Sequence, residues 1–386
     1  MIRVASCFAQ VLELVDRSGF GRAVRELDAE RGAKGFRCWD QFVAMLFCQL
    51  GSAHSLREIC GGLSTALGRV VHLGLKTAPK RSTLAYANEH RPWELYQRVF
   101  EQMLGRCQEL ATGRKRPFRF KNPLRLLDAT VIDLCLEVFD WARFRRTKGA
   151  IKLHLQLQDQ GCLPCWALVT EGRTHEVGVA QGLSFDPGTI VVMDRGYTDY
   201  ELFGRWTQQG VFFVTRMKSN AQYEVIHAIP GGDTGVRRTE WIRLTGVAAR
   251  DCSVALRRIT VWDAEQLREI VLLTNEPRLA SGTIARVYRF RWQIELFFKA
   301  LKQNLKIKTF VGTSENAVKT QIWTALIAML MLKFLQLKSS WKWSLSNLAA
   351  MLRFNLLTYR DLWAWLDDPF GVPINEPEPE QLALAL

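Results

Sequence analysis

Residues 124–136 read LRLLDATVIDLCL, a strand-forming run that carries Asp128 directly after Leu126 and Leu127. More runs of this kind follow: IKLHLQLQ (151–158), CWALVTEG (165–172), TIVVMDRGY (189–197) and VFFVTR (211–216). IKLHLQLQ alternates, with Ile151, Leu153, Leu155 and Leu157 on one face. The segment Ile190 to Met193 is continuously apolar, as expected for a strand covered on both faces. Short strand-like pieces then recur in SVALRRITVW (253–262) and EIVLLTN (269–275).

Outside this stretch the pattern is helical. Upstream, Val11, Leu12, Leu14 and Val15 recur at helical spacing, and so do the apolar residues from Phe42 to Leu50. SLREICGGLS (55–64) predicts a short helix ended by Gly61 and Gly62, and Ser82 is placed to cap another running to Glu89. Two such helices match either a helix-turn-helix unit or an ordinary helical pair. Downstream, helices are expected from Ile284 to about Leu366, and the tail NEPEPEQ (375–381) is expected to be disordered. Between the N-terminal helices and the strands lie Arg114, Lys115, Arg116, Arg119 and Lys121, broken by Pro117 and Pro123. Phe118 and Phe120 interleave with these charges, which suits either nucleic-acid contact or an anchored interdomain linker.

Composition narrows the class. The 386 residues suffice for two or three domains, and 48% hydrophobic with 23% charged residues is a globular balance. The 52 Lys and Arg exceed the 38 Asp and Glu, a formal charge of +14 that makes a polyanion such as nucleic acid the first candidate partner. The nine cysteines are scattered from Cys7 to Cys252, unlike a disulfide scaffold, and Cys162-x-x-Cys165 lacks the second pair a zinc site needs. No signal peptide is evident. The most apolar run, Ile322 to Leu332, is interrupted by Thr324 and stops at Lys333, short of the ~20 residues of a membrane span. No membrane association is expected, and a reducing cytoplasm is the expected compartment.

Three acids stand out. Asp128 lies within one strand, and Asp194 ends another just before Arg195-Gly196-Tyr197. Carboxylates at the ends of adjacent strands can converge on a metal ion, although each can equally cap a turn. Glu295 lies in YRFRWQIELFFKALK (288–302). At ~100° per residue, Tyr288, Arg291, Glu295, Lys299, Lys302 and Lys306 share one stripe of a helix. Phe290, Ile294, Phe297, Phe298, Leu301 and Leu305 take the opposite side and must pack inward. Glu295 is placed to hold a metal beside phosphate-binding cations, or to form ordinary surface pairs with Lys299 and Lys302.

The spacing Tyr288, Arg291, Glu295, Lys302 resembles the Y-R-E-K motif of DDE-type insertion-sequence transposases, specifically the fourth insertion-sequence group. LDATVIDL (127–134), VVMDRGYTD (191–199) and LLTN (272–275) agree in order, as does STLAYANEHRPWELY (82–96). The resemblance extends from about Ser82 to Lys333. It implies an α/β protein with a ribonuclease-H-like catalytic core, a mixed sheet flanked by helices, interrupted by a β-rich insertion. The expected boundaries are a helical N-terminal DNA-binding domain (1–110), a basic linker (111–123), the core (124–219 and 276–335), the insertion (220–275), and a helical C-terminal region with its tail (336–386).

The resemblance further implies that Asp128, Asp194 and Glu295 are catalytic and hold two Mg2+ ions, with Mn2+ expected to substitute. DNA contacts are expected from Tyr288, Arg291, Lys299, Lys302, Lys306, Arg114, Lys115, Arg116 and Arg119. The expected partner is double-stranded DNA, both transposon ends and target, bound by a homodimer. The expected activity is metal-dependent DNA cleavage and strand transfer. A nuclease of the same fold without strand transfer, or a DNA-binding regulator with a vestigial site, are the competing readings. Asp133, five residues from Asp128, falls on the opposite face of the strand, and Asp140 lies nearby. Trp292 is expected in the core, and His175-Glu176 either near the site or, as the favoured reading, in a plain loop.

Overall fold

Strand pairing sorts the residues around Asp128 into two faces. In the computed structural model, which describes residues 5–66, 69–135, 137–139, 141–145, 148–230 and 235–371, β1 (Leu124–Leu134) runs antiparallel to β3 (Lys148–Gln158). Asp128 pairs with Leu155, and Ala129 with His154. Side chains alternate along a strand. Leu126, Asp128 and Thr130 therefore share a face with Leu153, Leu155 and Leu157, while Leu127 and Ala129 share the other with His154 and Gln156. The remaining strands are β2 (Arg143–Arg145), β4 (Pro164–Glu171), β5 (Ile190–Met193), β6 (Phe212–Arg216), β7 (Tyr223–Ala228), β8 (Val236–Leu244), β9 (Leu256–Asp263) and β10 (Arg268–Thr274).

All ten form one sheet in the order β2-β3-β1-β5-β6-β10-β9-β8-β7, with β4 also paired to β3. β1 is antiparallel to β3 but parallel to β5, and β5 is parallel to β6. The sheet is therefore mixed about β1. The strands expected as an insertion continue it through the β6–β10 pairing rather than standing apart. Asn275, closing the LLTN run, fixes that junction. Its Oδ1 accepts from Phe213 N at 2.8 Å, and its Nδ2 donates to Val211 O at 2.9 Å and Thr207 Oγ1 at 2.8 Å.

The helices are α1 (Cys7–Leu12), α2 (Arg17–Glu26), α3 (Cys38–Leu50), α4 (Leu56–Ser64), α5 (Arg81–His90), α6 (Glu94–Thr112), α7 (Glu176–Gln181), α8 (Tyr200–Gln208), α9 (Ala248–Asp251), α10 (Ser281–Phe290), α11 (Trp292–Asn304), α12 (Glu315–Lys338), α13 (Leu345–Asn355) and α14 (Leu362–Asp367). By compactness the chain divides into two units: residues 1–103, 304–312 and 320–386, and residues 104–303 and 313–319. The sheet lies in the second. On the face carrying Leu127, the residues Val191, Met193 and Phe213 pack with Tyr197, Leu202, Phe203 and Trp206 into an apolar core. Burial of such side chains is worth about 1.5–3 kcal/mol each and anchors the strand ends.

In the first unit, α3 is buried on all sides, and Phe20, Trp39, Phe42 and Tyr96 cluster with neighbouring centroids 5.2–6.1 Å apart. α4 continues through Gly61 and Gly62 to Ser64 instead of ending at the glycines. A Cβ on Gly62 would lie 2.7 Å from the Phe47 ring, so that glycine serves close helix packing. Ser55 caps α4, but Ser82 lies inside the first turn of α5, whose cap residue Lys80 makes no side-chain bond. A 3-10 turn (Arg69–Leu73) and flanking loops separate α4 from α5, longer than a helix-turn-helix connection. Residues 356–359 return to the N-terminus, where Cys7 N donates to Thr358 O at 3.0 Å and Phe8 N to Leu356 O at 2.8 Å. The helical C-terminal region thus packs with the N-terminal helices. α12, at 24 residues, is long and apolar enough to cross a membrane, and 89% of its most apolar 18-residue window is buried within the protein. The nine cysteines are free thiols. The acidic tail and Asp140 lie outside the described residues.

Candidate active site

Asp128 reaches the site because β1 is central and its face there is otherwise apolar. Its Oδ1 accepts the Ala129 N–H at 2.8 Å. Burial raises its pKa from 3.8 to about 6; the Ala129 N–H and Arg291 pull it down, while Asp194 and Glu295 push it up. Asp194 ends β5, the neighbour of β1, and begins a 3-10 turn (Arg195–Tyr197). Its carboxylate makes no cap hydrogen bond to that turn, which removes the capping explanation for its presence. Asp133, by contrast, is exposed on the other face.

Glu295 comes from α11, which buries Ile294, Phe297, Phe298 and Leu301, as the apolar stripe requires. Arg291, at the break between α10 and α11, joins two of the acids. Its Nη1 donates to Asp128 Oδ2 at 3.1 Å and its Nη2 to Glu295 Oε1 at 2.6 Å. The guanidinium is only 14% exposed, and its Nε is buried without a partner. Tyr288 packs beside it, with the Arg291 guanidinium 5.8 Å from the ring centroid. Burial raises the Tyr288 pKa, with Asp194 adding to the effect against Arg291. Asp128 and Glu295 thus share one cation, Arg291, and Asp194 lies close enough to Asp128 to act on it electrostatically. Among the described residues, no three His, Cys, Asp or Glu side chains are arranged to chelate a metal as they stand, with Arg291 between two of them.

The other expected DNA contacts are scattered. Lys299 is exposed, and Lys302 Nζ donates to Val131 O at 3.0 Å. Lys306 lies beyond the end of α11, its Nζ 3.1–3.2 Å from the ring nitrogens of His54, so the continuous stripe does not extend to it. Arg114, Lys115 and Arg119 are exposed. Arg116 is turned inward: its Nη2 meets Asp159 Oδ2 at 3.1 Å and Asn122 O at 2.7 Å, and its Nη1 meets Lys121 O at 2.9 Å. Phe118 and Phe120 stack at 5.1 Å, and Phe118 meets Phe290 edge-on at 5.4 Å, which favours anchoring. Trp292 is 55% exposed, contrary to the expected core position, because α11 turns it away from the Ile294 side.

Residues 119–331, over half of the chain, match the family of the Transposase DDE domain. The chain belongs to the DDE transposase family. Residues 4–76 match a domain of unknown function (DUF4372). The DDE chain is 29% identical over 278 residues to a probable transposase for insertion sequence element IS5377 of Geobacillus stearothermophilus, covering 71% of this chain and 72% of that one. It is 30% identical over 264 residues to the putative transposase y4zB of Sinorhizobium fredii, covering 66% and 71%. A putative transposase for insertion sequence element IS4SA of Synechocystis is 31% identical over 244 residues, covering 61% and 67%. As a DDE transposase, this protein acts on DNA, and its family uses divalent metal ions.

Two residues near Asp194 receive no role from the sequence, although the His175-Glu176 pair is one of its open alternatives. Glu176 opens α7 instead of lying in a plain loop, and its Oε1 accepts from Lys152 Nζ at 2.8 Å. Buried Tyr197 has its pKa raised by burial and by Asp128, Glu176 and Asp194, and its hydroxyl has no hydrogen-bond partner. A lysine alternating with apolar residues in a strand looks solvent-facing, so only the position of α7 reveals this pair.

Proposed function

We propose that this transposase binds the ends of an insertion sequence, cuts DNA there and transfers the freed strand to target DNA, using Asp128, Asp194 and Glu295. The convergence of Asp194 and Glu295 on Asp128, with Arg291 bridging Asp128 and Glu295, carries the proposal. The order β4-β3-β1-β5-β6, antiparallel on one side of β1 and parallel on the other, supports a ribonuclease-H-like core. The donors are hard oxygens, Asp194 and Glu295 add to the rise that burial gives the Asp128 pKa, and a guanidinium already bridges two of the acids; these features fit Mg2+. When bound, two such ions supply charge neutralisation and an activated water or 3′-hydroxyl.

The chain's own contribution is positional. Asp128 is held by its register in β1 and by the Ala129 N–H, and Asp194 by the end of β5. Glu295 is oriented by Arg291, which fixes it relative to Asp128. Phosphodiester exchange needs in-line positioning and charge stabilisation, so no protein nucleophile is required. Lys299 and Lys302, on the Glu295 side of α11, are placed for phosphate contact, and exposed Arg114, Lys115 and Arg119 for the flanking backbone. A DNA-bound homodimer pairs the two ends.

The test is Mg2+-dependent cleavage of an oligonucleotide carrying the DNA that flanks the gene. Wild type is compared with Asp128→Asn, Asp194→Asn and Glu295→Gln. Cleavage is expected to vanish in all three with end binding retained, because size and local geometry barely change. Cleavage surviving in any of them removes that residue from the trio, and loss of binding in parallel with cleavage refutes the catalytic assignment.

A further inference from the structure

Asp194 sits at the end of a four-residue strand and makes no cap bond to the turn that follows, so its direction depends on what holds that turn. α7 packs directly against the turn Arg195–Tyr197. A Cβ added to Gly196 would lie 3.9 Å from Glu176 Oε2, so the Glu176 carboxylate faces the turn at the distance a side-chain methyl would fill. Glu176 is in turn tied down by Lys152, whose Nζ donates to Glu176 Oε1 and to Thr174 O, each at 2.8 Å. Lys152 projects from β3, which is hydrogen-bonded to β1, the strand carrying Asp128. A continuous chain of contacts therefore runs from the strand beside Asp128, through Lys152 and Glu176, to the turn behind Asp194.

We propose that Lys152 and Glu176 are positioning residues that fix Asp194 relative to Asp128. The ion pair is well suited to this. Lys152 is 12% exposed and Glu176 32%, so removing Glu176 leaves a poorly solvated ammonium, and removing Lys152 leaves the Glu176 carboxylate free to turn toward solvent. Tyr197, buried in the apolar core, pins the far end of the turn, and Lys218 Nζ donates to Thr198 O at 3.1 Å just beyond it. The Glu176 contact leaves the near end, where Asp194 lies, as the part the ion pair controls.

The proposal rests on Asp194 being one of the metal-holding carboxylates, and the experiment separates the two ideas. Mn2+ binding to the full-length protein is measured by electron paramagnetic resonance, alongside single-turnover cleavage, DNA-end affinity and melting temperature. The variants are Lys152→Met, Glu176→Gln, Lys152→Arg and, as a control, Asp194→Asn. Lys152→Met and Glu176→Gln are expected to weaken Mn2+ binding and slow cleavage by about 10-fold, the range for groups that orient metal-binding side chains. DNA-end affinity is expected to stay unchanged, and Lys152→Arg to restore most of the loss. Unchanged Mn2+ binding in Lys152→Met, with loss in Asp194→Asn, overturns the positioning proposal alone. Unchanged Mn2+ binding in Asp194→Asn overturns the metal reading with it. A lowered melting temperature that accounts for the whole effect, without rescue by Lys152→Arg, also overturns the positioning role.

Discussion

Asp128→Asn is expected to stabilise the sheet unit at neutral pH while abolishing cleavage. Burial, reinforced by Asp194 and Glu295, raises the Asp128 pKa from 3.8 to about 6 despite the Ala129 N–H and Arg291. A carboxyl whose folded pKa exceeds its unfolded one binds its proton more tightly when folded. Its ionisation therefore costs nothing below pH 3.8 and becomes fully unfavourable to folding above about pH 6. At about 1.36 kcal/mol per pH unit, the rise from 3.8 to about 6 sets a ceiling of about 3 kcal/mol at pH 8. With the side chain only 18% exposed, solvent screening removes a small part of this. Asparagine carries no charge; its single amide oxygen can keep the Ala129 N–H, while its NH2 replaces the oxygen that accepts from Arg291, which then keeps Glu295 alone. The assay is urea unfolding in EDTA at pH 4 and pH 8, with hydrogen exchange on β1 and β5 to follow this unit alone. A gain of about 1–3 kcal/mol at pH 8, falling below about 1 at pH 4, is the expected result. An Asn variant that is destabilised at pH 8, or a gain equal at both pH values, refutes the account of Asp128 as a carboxylate under electrostatic strain.

Two predictions concern the frame that holds the site. Asn275→Ala removes the acceptor of Phe213 N–H and a donor to Val211 O, both in the buried β6–β10 junction, and is expected to cost about 2–4 kcal/mol in urea unfolding; a loss under about 1 kcal/mol contradicts its role as the junction's lock. Burial, with Lys152 adding to it, lowers the His154 pKa from 6.5 to about 4, so the unfolded chain takes up its proton first as the pH falls. Stability is then fully present above pH 6.5 and is lost towards pH 4, by up to about 3 kcal/mol at about 1.36 kcal/mol per pH unit. His154→Gln is expected to flatten that slope, as read by melting temperature between pH 4 and pH 7; a slope identical to wild type rules His154 out as its source.

What the sequence made legible was local. Strand alternation in residues 151–158 and the apolar run 190–193 follow from a two-residue period, and that period also separated Asp128 from Asp133. Features decided by distant partners were not legible. Gly62 looks like a helix stop until Phe47 is seen beneath it, and Arg116 looks like a surface cation until Asp159, 43 residues away, comes beside it. Lys152 and Glu176 are separated by a strand and a loop, so neither announces the other. Glu295 is the instructive case, because the sequence offered two explanations: a metal-holding acid, or a partner in ordinary surface pairs with Lys299 and Lys302. The structure gives it an i,i+4 partner, but on the N-terminal side, Arg291, whose other terminal nitrogen reaches Asp128 across 163 positions of sequence. Helical spacing creates the ion pair and strand register turns it into a junction between two acids. An ordinary helix pair is free to swing into solvent. One tied to a buried strand carboxylate is held, so the same interaction that looks structural on a wheel is what brings Glu295 to Asp128.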